Sequence, residues 1–123
     1  MRPKFVLLAA LAFTAMSCDS TEPKGGPGTV KAVLVSPNGP EGAAILDVTG
    51  AVESFTATKD VSLYTTPSTT GTRVVLVRLT PGELSVNMKV SNTLEPPPVT
   101  VAEVADGNNN VRASVSGYQV TFK

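Results

Sequence analysis

Few side chains in this 123-residue chain could do chemistry. There is no histidine and a single cysteine, Cys18. Ser-His-Asp triads, imidazole bases and histidine metal sites are therefore excluded, because each needs an imidazole to move a proton or to donate a lone pair. Cys18 is the sole thiol nucleophile, and it stands in an N-terminal segment that reads as processed. Gly25-Gly26-Pro27-Gly28 lacks the Lys-Ser/Thr ending and the strand-to-helix setting of a phosphate loop. Paired carboxylates remain open, since two of them flanking a bond can hydrolyse a glycoside. The candidates are Glu41, Asp47, Glu53, Asp60, Glu83, Glu95, Glu103 and Asp106. None lies among aromatic residues that would hold a sugar, so all read as scattered surface charges. Asp106, Asn108 and Asn110 alternate like the opening of an oxygen-ligand calcium loop, but the glycine and glutamate required at its sixth and twelfth positions are Val111 and Gly117. The segment 106–110 reads as a polar turn, built from residues that tolerate αL geometry. No catalytic constellation, metal site or cofactor site emerges, and a non-catalytic role is expected.

The chain that carries Cys18 begins with two basic residues, Arg2 and Lys4, followed by an apolar run broken only by Thr14 and closed by small residues. Charged, apolar and cleavage regions in that order form a secretory signal. A helix needs about 20 apolar residues to span a bilayer, so this run is too short to stay in one. Ala15-Met16-Ser17-Cys18 resembles the lipobox of bacterial lipoprotein signals, with Ser17 in the small position, Ala15 where leucine is usual and Met16 where alanine or serine is usual. The resemblance implies cleavage before Cys18 and acylation of that residue by chains such as palmitate. Ala15-Met16-Ser17 also fits an ordinary small-x-small peptidase site, which would release a soluble product with a free thiol. Cys18 has no intramolecular disulfide partner, and acylation accounts for an unpaired cysteine in an exported protein.

Removal of 1–17 leaves a near-neutral chain with two more acidic than basic side chains. No clustered Lys and Arg are present to attract phosphates, so nucleic acid is not an expected partner. Residues 18–28 carry no apolar side chain beyond the cysteine and are rich in Gly and Pro, which predicts a flexible linker reaching about 17–19 Å.

From 29 to 123 the chain is dense in Val and Thr with repeated period-2 alternation, the mark of half-buried strands. Leu84, Val86, Met88 and Val90, interleaved with Ser85, Asn87, Lys89 and Ser91, are the clearest case. Strands are predicted over 30–35, 44–49, 52–57, 61–65, 73–79, 84–90, 99–105, 111–115 and 118–122. The continuous run Val74 to Val77 predicts a central strand covered on both faces. Pro81-Gly82 suits a type II turn, and Ser116-Gly117 suits a two-residue loop closing 111–115 and 118–122 into a hairpin. Pro96-Pro97-Pro98 cannot donate ladder hydrogen bonds and predicts an extended crossover. Tyr118 and Phe122 share core-facing parity, whereas Tyr64, on the parity opposite to Val61 and Leu63, is the one aromatic left as a candidate for the surface. The fold expected for 29–123 is all-β, a single antiparallel β-sandwich of eight to nine strands after a signal peptide and tether.

The stretch Gly82-Glu83-Leu84-Ser85-Val86-Asn87-Met88-Lys89-Val90 resembles the later strands of cohesin-type and related carbohydrate-binding sandwiches. That resemblance implies a module that binds a protein or a polysaccharide and is not an enzyme; it places no calcium or ligand residue on this chain. The expected protein is a lipid-anchored sandwich on the extracytoplasmic face of the cell membrane or at the outer membrane, held through Cys18 and acting as a binding or structural module. A soluble, secreted carbohydrate-binding or carbohydrate-active module is the alternative.

Overall fold

The computed structural model describes residues 25–123. The predicted signal 1–17, Cys18 and the predicted linker as far as residue 24 lie outside the described residues. The described chain folds into β1 (Gly28–Val35), β2 (Glu41–Thr49), β3 (Ser54–Ala57), β4 (Ser62–Pro67), β5 (Gly71–Gly82), β6 (Ser85–Val90), β7 (Val99–Ala105) and β8 (Gln119–Phe122). These form two four-stranded antiparallel sheets, ordered β3-β6-β1-β8 and β4-β5-β2-β7, packed as a β-sandwich. Among the described residues there is no helix long and apolar enough to cross a membrane.

The core follows from parity. Val30, Ala32 and Leu34 of β1 and Val86, Met88 and Val90 of β6 point inward from the first sheet, and meet Ala44, Leu46, Val48, Val74, Leu76 and Val104 from the second. Leu84, just before β6, joins the same buried cluster. Fully burying one such side chain contributes about 1.5–3 kcal/mol. Val74 and Leu76 are fully buried, but Val75 and Val77 are only half-buried, so β5 is central in its sheet yet covered completely on one face alone. The wall predicted over the second face is absent, because no further element packs there among the described residues.

Most connections cross from one sheet to the other; β4 and β5 are the one consecutive pair that forms a hairpin. This arrangement corrects three expectations. Residues 111–115 are not a strand: Val111 makes an isolated bridge to Ala105, and the segment crosses from β7 to β8. Ser116-Gly117 does form a tight turn, with Tyr118 N donating to Val115 O at 3.0 Å and Gly117 at φ 89°, but it joins segments that do not pair. β8 pairs with β1 instead, Ala32 facing Phe122 and Leu34 facing Val120. Pro81-Gly82 is not a reversing turn either. Ala43 pairs with Val77 and Glu41 with Gly82, so residues 78–81 bulge out of β5, leaving Leu79 99% exposed. Arg78 Nε holds the bulge by donating to Thr80 O at 2.8 Å, and a Cβ at Gly82 would stand 2.8 Å from the Arg78 guanidinium. The three prolines behave as expected: they carry the chain from β6 to β7, and Pro98 O accepts a hydrogen bond from Thr49 N at 3.0 Å.

β1 runs from Gly28 to Val35 and the turn after it delivers Glu41, so the N-terminal chain and Glu41 lie at opposite ends of the sandwich.

Candidate functional site

Two places concentrate polar chemistry. The first is at the Glu41 end. Glu41 was expected at the surface; it is 1% exposed, and its carboxylate gathers donors from three segments. Ser36 Oγ donates to Oε2 at 2.7 Å and the Tyr118 hydroxyl donates to the same oxygen. Arg112 donates to Oε1 from Nη2 at 2.9 Å and from Nε at 3.2 Å. Asn38 Nδ2 then donates to the Tyr118 hydroxyl at 2.8 Å, which completes the shell. Burial pushes the Glu41 carboxyl up, but the hydrogen bonds from Tyr118, Ser36 and Arg112 outweigh it and hold the group below the ordinary value of 4.5. Glu41 and Glu83 both border a hollow of about 260 Å³ lined also by Leu34, Pro40 and Leu84. Glycoside cleavage needs one carboxyl kept protonated as the acid. Glu41 is engaged by its own donors and Glu83 pairs with Lys31 at 3.6 Å, so each of the two carboxylates is bound by separate partners.

The other carboxylates are not brought together. Asp47 pairs with Arg73, and Glu53 with Lys89 at 3.8 Å. Asp60 sits at φ 65° in the turn before β4, and Glu95 accepts from Asn92 at 3.5 Å. Asp106 caps its own loop: Oδ1 accepts from Asn108 N at 2.8 Å and Asn110 N at 3.0 Å, and these backbone hydrogen bonds, that from Asn110 first, lower its pKa. Among the described residues no group of three or more carboxylates or cysteines is placed to hold a metal ion.

The second place is the outer face of β4-β5-β2-β7, and sequence reasoning missed it as a surface. Because successive side chains alternate across a strand, the register puts outward residues in rows. One row runs Tyr64, Val75, Ile45, Glu103; the next runs Thr66, Arg73, Asp47, Thr100; a third runs Ser62, Val77, Ala43, Ala105. Tyr64, the candidate for a surface aromatic, is 62% exposed. Arg73 clasps Asp47 through two hydrogen bonds, Nε to Oδ1 at 2.8 Å and Nη2 to Oδ2 at 2.9 Å. The guanidinium lowers the Asp47 pKa, and the carboxylate raises that of Arg73. The outer face of the other sheet differs: its rows read Ser54, Lys89, Thr29 and Thr56, Asn87, Lys31, with Val33 buried and Val35 at its far end. The one sequence signal for this asymmetry was the unbroken apolar run 74–77, whose alternate members had to face either a second wall or a partner.

No family model, curated protein or solved structure matches this chain.

Proposed function

We propose that this chain is a lipid-anchored, extracytoplasmic β-sandwich that serves as a non-catalytic binding or structural module of the bacterial envelope. Its contact surface is the outer face of β4-β5-β2-β7. The observation that carries the reading is the difference between the two outer faces: one is polar and charged apart from the buried Val33 and Val35 at its far end, whereas the other groups the exposed Tyr64 with the half-buried Val75, Ile45 and Val77. Apolar side chains grouped on one exposed face mark an interaction surface. The sole cysteine, Cys18, at the end of a secretory signal supports the anchor, and the sequence resemblance of 82–90 to cohesin-type sandwiches points to binding.

The anchor is tested by detergent phase separation. Two or more acyl chains hold a protein on a membrane persistently where one does not, at about 0.8 kcal/mol per buried methylene. Wild-type protein is expected in the detergent phase with a mass increment on Cys18, and Cys18→Ser in the aqueous phase. An unmodified Cys18 would support the soluble secreted module in its place. The binding role is tested by cosedimentation of the soluble Cys18→Ser protein with isolated envelope fragments; recovery of all of it in the supernatant would refute binding.

A further inference from the structure

We infer that the side of the sandwich between β7 and β8 takes an extended, uncharged peptide segment of a partner protein, apolar at alternate positions, which adds as an antiparallel fifth strand to the edge of β7. The site is separate from the outer face of β4-β5-β2-β7 and does not depend on it. The four edge strands lie in two pairs, β3 beside β4 and β7 beside β8. The first side is closed by the chain passing directly from β3 to β4, where Val61 is buried and Thr58 Oγ1 donates to Ser85 O at 3.0 Å. The second side is bridged only past Ala105, by the crossover that carries Val111 and Arg112. Along 99–101 it stays open. A hollow of about 520 Å³ lies there, lined from both sheets by Val99, Val101, Val115, Tyr118 and Val120 and by no charged side chain.

The backbone of this edge is free. Thr49 N donates to Pro98 O at 3.0 Å, which fixes the phase of the ladder between β2 and β7. Alternate residues of an antiparallel strand turn their N–H and C=O to opposite sides, so Thr100 bonds toward β2 while Val99 and Val101 aim theirs off the sheet. No other segment among the described residues supplies partners for these four groups. The side chains of Val99 and Val101, opposite Val48 and Leu46, point inward and are only half-buried. A strand laid on β7 meets both needs at once. Its backbone answers the free groups at their repeat of about 7 Å, and its residues opposite Val99 and Val101 place their side chains on the same face, in the hollow against Val115 and Val120.

The edge of β8 is the poorer choice. Lys31 and Lys123 exchange both backbone hydrogen bonds, so Val120 and Phe122 are the outward pair there, and of these only Val120 borders the hollow. Pro98 has no N–H and the register shifts after Val101, so the free run of β7 takes a segment of about five residues. A second copy offers only strands already fixed in their own sandwich, which cannot enter the space between these sheets. Two such short edges bury far less than the about 800 Å² per partner of a stable dimer.

The probe is a fluorescein-labelled peptide of alternating valine and threonine with a lysine at each end, titrated with the Cys18→Ser protein by fluorescence polarisation. Saturable binding is expected. The valines of the probe face the hollow, and in an antiparallel pair the same residues bond to β7, so N-methylating the valine amides is expected to weaken binding about tenfold or more and N-methylating the threonine amides to spare it. Amide exchange of Val99 and Val101 is expected to slow in the bound state, and that of Val120 and Phe122 to stay unchanged. Val99→Pro removes an outward N–H at the first residue of β7, where proline is tolerated, and is expected to weaken binding about tenfold with an unchanged melting temperature. If that variant melts early, the two methylated peptides decide. No binding, equal loss with either methylated peptide, or protection at Val120 and Phe122 in place of Val99 and Val101 overturns the inference. Protection of Val99 and Val101 that grows with protein concentration in the absence of peptide would assign the edge to a second copy and overturn it as well.

Discussion

Tyr118 and Glu41, 77 residues apart, meet through a buried hydrogen bond from the tyrosine hydroxyl to carboxylate Oε2. The contact ties the chain entering β8 to the first residue of β2, and so joins the two sheets at the end away from the N-terminal chain. Arg112, in the crossover between β7 and β8, completes the tie.

The two ends of that tie are not equivalent. Removing Arg112 leaves a buried carboxylate without its cation, which costs about 3–5 kcal/mol. Removing the charge of Glu41 leaves Arg112, 29% exposed, with access to water, and the loss is confined to mismatched donors at about 1–3 kcal/mol. Urea unfolding is expected to rank Arg112→Ala as more damaging than Glu41→Gln. The reverse order would show that the arginine does not hold the carboxylate.

Acid sensitivity follows from the same group. A carboxyl whose folded pKa lies below its ordinary value of 4.5 adds stability that is complete above 4.5 and is lost as pH falls through the depressed value. Thermal stability is expected to fall below pH 4.5 in the wild type, and to fall less steeply in Glu41→Gln. Parallel acid limbs for the two proteins would assign the effect to other carboxylates.

Val86 and Asn87 are neighbours on β6 that point to opposite faces, the first fully buried and the second outward between Thr56 and Lys31. Burying an unpaired carboxylate costs several kcal/mol, so Val86→Asp is expected to unfold the domain. Asn87→Asp is expected to stay within about 0.5 kcal/mol of wild type. Circular dichroism melts compare them, and equal losses would contradict the register of β6 on β1.

Parity made β6 legible, because an alternating strand states which face is buried whatever it pairs with. Pairing is different: 111–115 and 118–122 alternate in phase across a good turn, yet β8 joins β1 in the other sheet. The inward residues of the crossover are Arg112, Val115 and Tyr118, a spacing of three that alternation conceals. Glu41 was hidden among surface carboxylates for the same reason, since its shell is assembled from residues up to 77 positions away. The available signal was Tyr118 on an inward parity, because a buried tyrosine hydroxyl needs a partner. The outer rows of β4-β5-β2-β7 required the register, since Tyr64, Val75 and Ile45 are scattered along the chain.

A chain ending at Gly117 loses the Tyr118 hydrogen bond to Glu41 and β8, one of the two partner strands of β1. Loss of a large core side chain alone costs about 3–5 kcal/mol against a total of about 5–15. The truncated protein is expected to be unfolded or aggregated by size-exclusion chromatography. A monomer as heat-resistant as the full chain would make β8 peripheral.

The contact face is tested most directly by a matched pair of charge insertions on edge strands. Tyr64 is an outward residue of edge strand β4, and Thr56 an outward residue of edge strand β3 in the other sheet. Tyr64→Lys and Thr56→Lys each introduce one lysine on an exposed face and leave the core alone. Cosedimentation of the Cys18→Ser protein with envelope fragments is expected to be lost in Tyr64→Lys and kept in Thr56→Lys. Binding that survives Tyr64→Lys, or that is lost equally in both, would contradict the assignment of the β4-β5-β2-β7 face.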